Sequence, residues 1–301
     1  MDRRRSRVRH AFAALALAVV LTACQNDSQP GDRVPVEVAA LDWLDRAADP
    51  VEHLTTQPAT CLSEPNDPAV QRGALLFASP VLLGGQAAKA GLSCAACHRN
   101  GRGNPNFVFT GISGSPGSAD VTHGLFSSVR ADRVFNPVVI PDLATEAGHV
   151  KVDRQHAGEL EAFLTAQIIE EFSGIAPEPQ AIADLAAYIR ALDDRTCTGV
   201  AYEGQSWRTE LNHLRAGLTG QGPMSDTYVS AMRAALGRLH NRFPGDNSAQ
   251  LRADLISFSR ALAADTDIGV LREKLRTLVT DLDAAADQSL YNPDILENAL
   301  R

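Results

Sequence analysis

The sequence predicts an all-α fold, and three observations support this class. The segment from Ala69 to Phe77 has the apolar spacing of a helix. A second helical stripe lies near residue 190, and three more follow Gly199 in a stretch without cysteine. Gly- and Pro-rich segments separate these helices and predict irregular loops. The middle stripe consists of Ile182, Leu185, Ile189 and Leu192.

The N-terminus has the pattern of an export signal. Five arginines precede an apolar run from Ala11 to Leu21, which is too short to span a membrane. Leu21-Thr22-Ala23-Cys24 resembles the lipobox of bacterial lipoproteins, in which cleavage leaves a lipidated N-terminal cysteine. We therefore expect residues 1–23 to be a signal peptide and Cys24 to carry lipid; the alternative is a secreted protein with a spare thiol. In that family a residue other than Asp after the cysteine usually means sorting to the outer membrane, so the resemblance and Gln25 together imply the periplasmic side of that membrane.

The mature chain is predicted to be acidic and to contain two folded units. The full sequence has 28 basic and 36 acidic residues, and loss of residues 1–23 removes five Arg and one Asp, which leaves a net charge of −12. Such a charge argues against nucleic acid and favours basic protein partners. Composition predicts a tether over residues 24–60, although Trp43 and Leu44 suit docking as a short helix. The length predicts one unit over 61–199 and a second over 200–301.

The most informative motif is Cys94-Ala95-Ala96-Cys97-His98. Two thiols three apart, with histidine next, form the attachment site of a covalent haem. The thiols bond the two vinyl groups, and His98 becomes the proximal iron ligand. A zinc half-site and a redox dithiol are the alternatives, but zinc needs four ligands and the sequence has no second Cys-x-x-Cys. We expect one covalent haem c.

Gly73, Phe77 and Tyr188 resemble the helix-crossing residues of class I cytochromes c. There, a glycine and an aromatic on the first helix meet an aromatic on the last. The run Arg72–Phe77 together with the haem motif looks like the N-terminal half of bacterial dihaem cytochrome c peroxidases, over roughly residues 68–197. Those enzymes carry a second haem motif, which this sequence lacks.

The sixth iron ligand decides between electron transfer and small-molecule chemistry. No methionine lies between Cys97 and Cys197, so the resemblance leaves a histidine as the alternative. His123 is our candidate distal ligand, and a surface loop histidine is the competing interpretation. His149 and His156 lie among charged residues, which favours a solvated helix start.

Other residues near the motif have two interpretations each. Arg99 and Arg102 follow His98 and suit pairing with haem propionates, or else a solvated basic loop. Four phenylalanines suit either a porphyrin wall or ordinary core. They are Phe107, Phe109, Phe126 and Phe135.

Cys61 and Cys197 remain after the lipid and haem cysteines are assigned. They flank the predicted cytochrome unit, and the first and last helices of that fold cross, so the resemblance favours a disulfide over two buried thiols. An exported chain meets the oxidising conditions that a disulfide needs.

The C-terminal stripes predict a helical bundle. We expect its methionines, Met224 and Met232, to be packing residues rather than iron ligands. The stripes are Val229, Met232, Leu236 and Leu239; Leu251, Leu255, Phe258 and Leu262; and Ile268, Leu271, Leu275, Leu278 and Leu282.

Two functional hypotheses follow. The favoured one is a lipid-anchored periplasmic monohaem cytochrome c that exchanges single electrons with a redox partner protein. The alternative is a peroxidase-like haem enzyme with an open or labile distal site. A haem sensor or scaffold that uses the helical half to bind a partner is a weaker third possibility.

Overall fold

The computed structural model describes residues 43–146, 152–156, 158–197, 199, 201–219, 224–264 and 266–301. Within them the fold is all-α, as predicted, with twelve α-helices and four short strands. The predicted signal peptide, Cys24 and His149 lie outside the described residues. The helices are α1 Pro50–Thr55, α2 Pro68–Phe77, α3 Pro80–Leu83, α4 Gly85–Lys89, α5 Cys94–Cys97, α6 Glu159–Ala166, α7 Pro179–Ala191, α8 Trp207–Gly217, α9 Asp226–Asn241, α10 Ala249–Ala263, α11 Ile268–Ala285 and α12 Pro293–Leu300. The strands are β1 Thr56–Pro58, β2 Ser118–Ala119, β3 Val138–Val139 and β4 Tyr202–Gly204, and they form two antiparallel pairs, β1 with β4 and β2 with β3.

Helix α2 starts at a strong capping signal. The Asp67 carboxylate accepts hydrogen bonds from the backbone amides of Ala69 and Val70, at 2.7 and 3.1 Å. Pro68 occupies the first helical position, where its missing N–H costs nothing. The predicted start at residue 69 is therefore correct to within one residue.

Helices α2 and α7 cross at Gly73, and this confirms the crossing that the sequence predicted. A Cβ atom added at Gly73 would lie 2.1 Å from the Asp184 carbonyl oxygen and 2.6 Å from the Tyr188 Cβ. Only glycine therefore allows the two backbones to approach so closely. The Phe77 and Tyr188 rings meet beside the crossing, with their centroids 5.1 Å apart.

A buried ion pair also joins α2 to α7. Arg72 donates to both carboxylate oxygens of Asp184, at 2.6 and 2.9 Å, and the Asp184 side chain is fully buried. Gln180 Nε2 and the Tyr228 hydroxyl donate to the same carboxylate. Tyr228 belongs to α9, so this cluster connects the first half of the chain with the second.

The prediction of a tether is wrong for residues 43–60. Trp43 docks by stacking on Phe109 with ring centroids 4.2 Å apart, but Leu44 pairs with Phe107 in an isolated β-bridge and is not part of the suggested short helix. Helix α1 and strand β1 follow, and β1 pairs with β4. Leu54 is buried against Leu290 and Leu296, near the other end of the chain. Composition did not reveal this order because the stabilising partners, Phe109, β4 and α12, are all distant in the sequence.

The C-terminal stripes form the buried faces of α9, α10 and α11, as predicted. One hydrophobic cluster contains Leu75 and Leu185 from the first half and Met232, Leu255 and Leu282 from the second. The contact is closest at Gly217, where an added Cβ would lie 2.6 Å from the Met232 sulfur and 3.3 Å from Leu75. The core thus continues across residue 200, where the sequence suggested a boundary between two units.

The structure joins Cys61 and Cys197 in a disulfide, with their Cα atoms 5.0 Å apart. A backbone hydrogen bond also connects the two segments that carry these cysteines, because the Asp193 amide donates to the Cys61 carbonyl at 2.9 Å. Arg102 donates to the Cys61 sulfur at 2.7 Å. The two ends of the segment 61–197 are therefore held together covalently.

None of the helices in the described part of the chain is both long enough and apolar enough to cross a membrane.

Candidate haem site

Helix α5 is a single turn that holds both thiols of the motif. Cys94 and Cys97 are its first and last residues, and they are not bonded to each other. The turn is closed by the His98 amide, which donates to the Cys94 carbonyl at 2.8 Å. Buried Leu92 anchors the preceding residues in a small apolar cluster that also contacts Cys94 and Cys97. The local fold therefore brings the two sulfurs and the imidazole together on one rigid turn.

The His98 ring is oriented by one hydrogen bond. Its Nδ1 lies 3.0 Å from the Pro141 carbonyl oxygen. A carbonyl only accepts, so Nδ1 must carry the proton, and Nε2 of the neutral ring keeps its lone pair. Burial lowers the pKa of His98 to about 4, although the Pro141 bond and Asp142 oppose this, so the ring is neutral at pH 7. This is the state that ligates iron through Nε2.

The two cysteines of the motif are partly buried. Burial raises the pKa of Cys94 to about 12, and burial with the neighbouring Cys94 does the same for Cys97. Both residues keep some accessible surface, and apolar clusters contact them. The thiols are therefore protonated at neutral pH.

An exposed apolar segment leads into the residue that holds His98. Both residues of β3 are exposed, and Phe135 and Val139 are 60% and 78% exposed. The segment continues through Ile140 to Pro141, whose carbonyl contacts His98. Adjacent exposed apolar side chains indicate a surface that a ligand or partner covers.

Arg154 is a buried cation near His98 that the sequence analysis missed. It is 7% exposed, and its guanidinium donates to the Ile189 carbonyl at 2.9 Å. In the described part of the chain it has no carboxylate partner. Burial lowers the pKa of Arg154 to about 10, and its charge contributes to the lowered pKa of His98. A haem propionate would supply the missing negative charge. No local pattern marks Arg154, because its burial depends on α7.

Arg99 and Arg102 have other partners. Arg99 donates to the carbonyls of His53 and Thr56 and so holds the N-terminal segment. Arg102 pairs with Asp142, at 2.8 and 2.6 Å to its two oxygens. Both guanidiniums are partly buried and hold neighbouring segments, so the solvated-loop interpretation is wrong for both, while the propionate role stays a prediction.

The candidate distal ligand His123 is exposed in a loop. Its Nδ1 lies 3.1 Å from the Leu125 amide nitrogen. An amide only donates, so Nδ1 is the acceptor and the proton of the neutral ring is on Nε2. Ligation through Nε2 would require this bond to break. The geometry of His123 is thus the reverse of that of His98.

The remaining candidate ligands are distributed over the surface and the core. His156 is exposed, Met232 on α9 is fully buried against Gly217 of α8, and Met224 packs on the main core. Phe107 and Phe126 are also core residues, whereas Phe135 is exposed. Among the described residues, no three His, Cys, Asp or Glu side chains converge as the ligands of a metal ion. The zinc interpretation therefore has no geometric support in this part of the chain.

Comparisons with protein-family models, with curated proteins and with solved structures found no match to this chain. The function of this chain is therefore inferred from the Cys94–His98 motif and from the residues that the fold places around it.

Proposed function

We propose that this protein is a lipid-anchored periplasmic cytochrome c with one covalent haem, and that it carries single electrons between partner proteins. The observation that carries the proposal is the geometry at His98. The motif supplies two partly buried, unbonded thiols on one turn, and the hydrogen bond to the Pro141 carbonyl leaves Nε2 of the adjacent imidazole unprotonated.

The residues of this chain have distinct roles in the proposal. Cys94 and Cys97 tether the haem, and His98 binds its iron with an orientation fixed by Pro141. Arg154 balances a propionate. The haem supplies a one-electron couple, and the protein sets its potential through the ligand, the burial and the nearby charge. The acidic surface favours basic partners and speeds their encounter.

A peroxidase-like enzyme is the second candidate, and the hydrogen bond from Leu125 to His123 favours it. With Nε2 protonated, His123 leaves the sixth coordination position to solvent or to a small molecule. We retain the electron carrier as the first proposal because no described residue is placed as an acid or base for peroxide chemistry.

Haem staining tests the covalent site. The full chain is produced in a host with cytochrome c maturation, separated under denaturing conditions and stained for haem. We expect the stain to be lost or strongly reduced in the Cys94→Ala/Cys97→Ala variant. The matched control is Cys61→Ser/Cys197→Ser, which also removes two cysteines and should keep its stain. An undiminished stain in the first variant would overturn the proposal.

Optical and EPR spectra distinguish the two candidate functions. A low-spin spectrum that is unchanged by carbon monoxide or peroxide indicates a six-coordinate iron and supports the electron carrier. The variant His123→Ala then shows whether His123 is the sixth ligand. A high-spin spectrum that shifts on ligand addition indicates an open site and replaces the carrier with the enzyme.

A further inference from the structure

A cavity of about 360 Å³ lies beside the Cys94–His98 turn and is also lined by residues of α8 and α9. Its volume is within the range of small-molecule sites. It is lined by both halves of the chain, and Ala95 and Ala96 of the motif form part of its wall. Its aromatic and charged lining includes Trp43, Phe77, Tyr188, Arg99, Arg238 and Arg242.

One of the three arginines is neutralised. Arg238 donates to both carboxylate oxygens of Glu210, at 2.6 and 2.8 Å. Burial alone would raise the pKa of Glu210, but Arg238 and His213 lower it to about 2. Glu210 therefore stays ionised and paired with Arg238 at neutral pH.

The other two arginines have only neutral partners. Arg99 donates to backbone carbonyls. Arg242 donates to the Leu290 carbonyl at 3.2 Å and to the Gln205 side-chain oxygen at 3.1 Å. Neither forms a salt bridge with a carboxylate among the described residues. Neither guanidinium is therefore neutralised by a direct ion pair, although Glu210, which lines the same cavity, acts on Arg242 from a distance.

These two charges also repel each other. Burial lowers the pKa of Arg99 to about 10, and the charge of Arg242 acts in the same direction. Burial likewise lowers the pKa of Arg242. His53 does not compensate, because burial and Arg99 lower its pKa to about 4 and leave it neutral. A buried charge without a counter-ion is costly, and an anion in the cavity would reduce the cost for both arginines.

The lining also restricts the shape of the anion. Arginine presents a planar fork that matches a carboxylate in a bidentate manner. Trp43, Phe77 and Leu54 add apolar surface to the same cavity. We propose that this cavity binds a small organic carboxylate, with Arg99 and Arg242 at its charged end and the aromatic wall along its apolar body. The proposal uses none of the side chains to which the proposed function assigns the haem.

Calorimetric titration of the full chain with benzoate tests the site, with acetate and inorganic phosphate as comparison ligands. We expect saturable benzoate binding that is tighter than acetate or phosphate binding. Arg242→Gln removes one charge-assisted contact and should weaken benzoate binding by about tenfold or more. The matched control is the exposed Arg260→Gln, which removes the same charge elsewhere and should bind as the parent does.

A second variant covers the case in which Arg242→Gln fails to fold. Ala90 lines the cavity, so Ala90→Phe should fill part of it and block benzoate while the arginines stay in place. Absence of saturable benzoate binding to the parent, or binding unchanged in both cavity variants, would overturn the proposal. Phosphate binding as tight as benzoate binding would also overturn it, because it would exclude recognition of an apolar carboxylate.

Discussion

Gly73 and Asp184 lie so close together that a Cβ atom at position 73 would be 2.1 Å from the Asp184 carbonyl oxygen. The neighbouring Arg72 binds the side chain of the same aspartate at 2.6 Å. Backbone contact and ion pair therefore occur at one point of the α2–α7 crossing. Phe77, one helical turn further along, reaches the His98 ring with a centroid separation of 6.4 Å.

Gly73→Ala should destabilise the fold by about 3 kcal/mol, because the added methyl meets backbone that has no room to move. Chemical denaturation measures the change in unfolding free energy. Gly237→Ala is the matched control. Gly237 lies in α9 with no atom within 4 Å of an added Cβ, so alanine there should stabilise by about 0.5–1 kcal/mol. Equal effects at both positions would contradict the tight crossing.

Asp184→Ala should cost about 3–5 kcal/mol, because it leaves the Arg72 guanidinium and the Tyr228 hydroxyl without their partner. The comparison is Glu170→Ala, which breaks the exposed pair with Arg130. We expect that variant to lose less than about 1 kcal/mol in the same denaturation experiment. A small loss of unfolding free energy in Asp184→Ala would show that the buried Arg72–Asp184–Tyr228 cluster contributes little to stability.

The disulfide closes a loop with a sequence separation of 136 residues. On the chain-entropy model, its removal should lower the unfolding free energy by about 4–5 kcal/mol. Cys61→Ser/Cys197→Ser is compared with the oxidised parent, and the reduced parent serves as a second reference. A loss below about 1 kcal/mol in both would argue against this contribution.

Stability should fall between about pH 6.5 and pH 4, in part because of His53. Burial and Arg99 lower its pKa to about 4 in the folded state, whereas an unfolded histidine titrates near 6.5. The unfolded chain therefore binds more protons in this window, and acid favours unfolding. His53→Asn should flatten the dependence of the unfolding free energy on pH. An unchanged slope would show that the loss of stability in acid comes from other titratable groups.

Under the proposed function, Arg154→Gln should lower the midpoint potential of the haem that the motif would bind, because a positive charge near the iron would favour the reduced form. A change of about 1 kcal/mol corresponds to roughly 40 mV for one electron. Potentiometric titration measures the shift. Arg195→Gln is the control, since that side chain is 83% exposed. Equal potentials in all three proteins would remove Arg154 from the haem environment.

Periodicity was sufficient to predict the helices that bury one face. The stripes that contain Ile182, Leu255 and Leu282 all lie on buried helix faces, because side-chain spacing along a helix is a local property. The Gly73 crossing was predicted from its resemblance to a known helix pair and is confirmed by the packing. The haem motif remains a prediction from spacing, to which the structure adds the orientation of His98.

The missed features all depend on distant partners. The order of residues 43–60 requires β4 and α12, and the cavity between the haem motif and the C-terminal helices requires both halves of the chain. The roles of Arg99 and Arg154 follow from carbonyl oxygens of other segments, which carry no side-chain signature. Such pairings are decided by the tertiary fold and leave no periodic trace in the sequence.

The contact of Gly217 with Leu75 and Met232 affects the order in which this protein can be completed. A chain is synthesised from its N-terminus, so Cys94–Cys97 emerges about a hundred residues before α8 and α9. Until those helices are synthesised, Leu75 of α2 lacks its packing partners, so the hydrophobic core of the first half is incomplete. The thiols of the motif are thus presented on an incomplete fold throughout that interval, when they are most accessible to covalent modification.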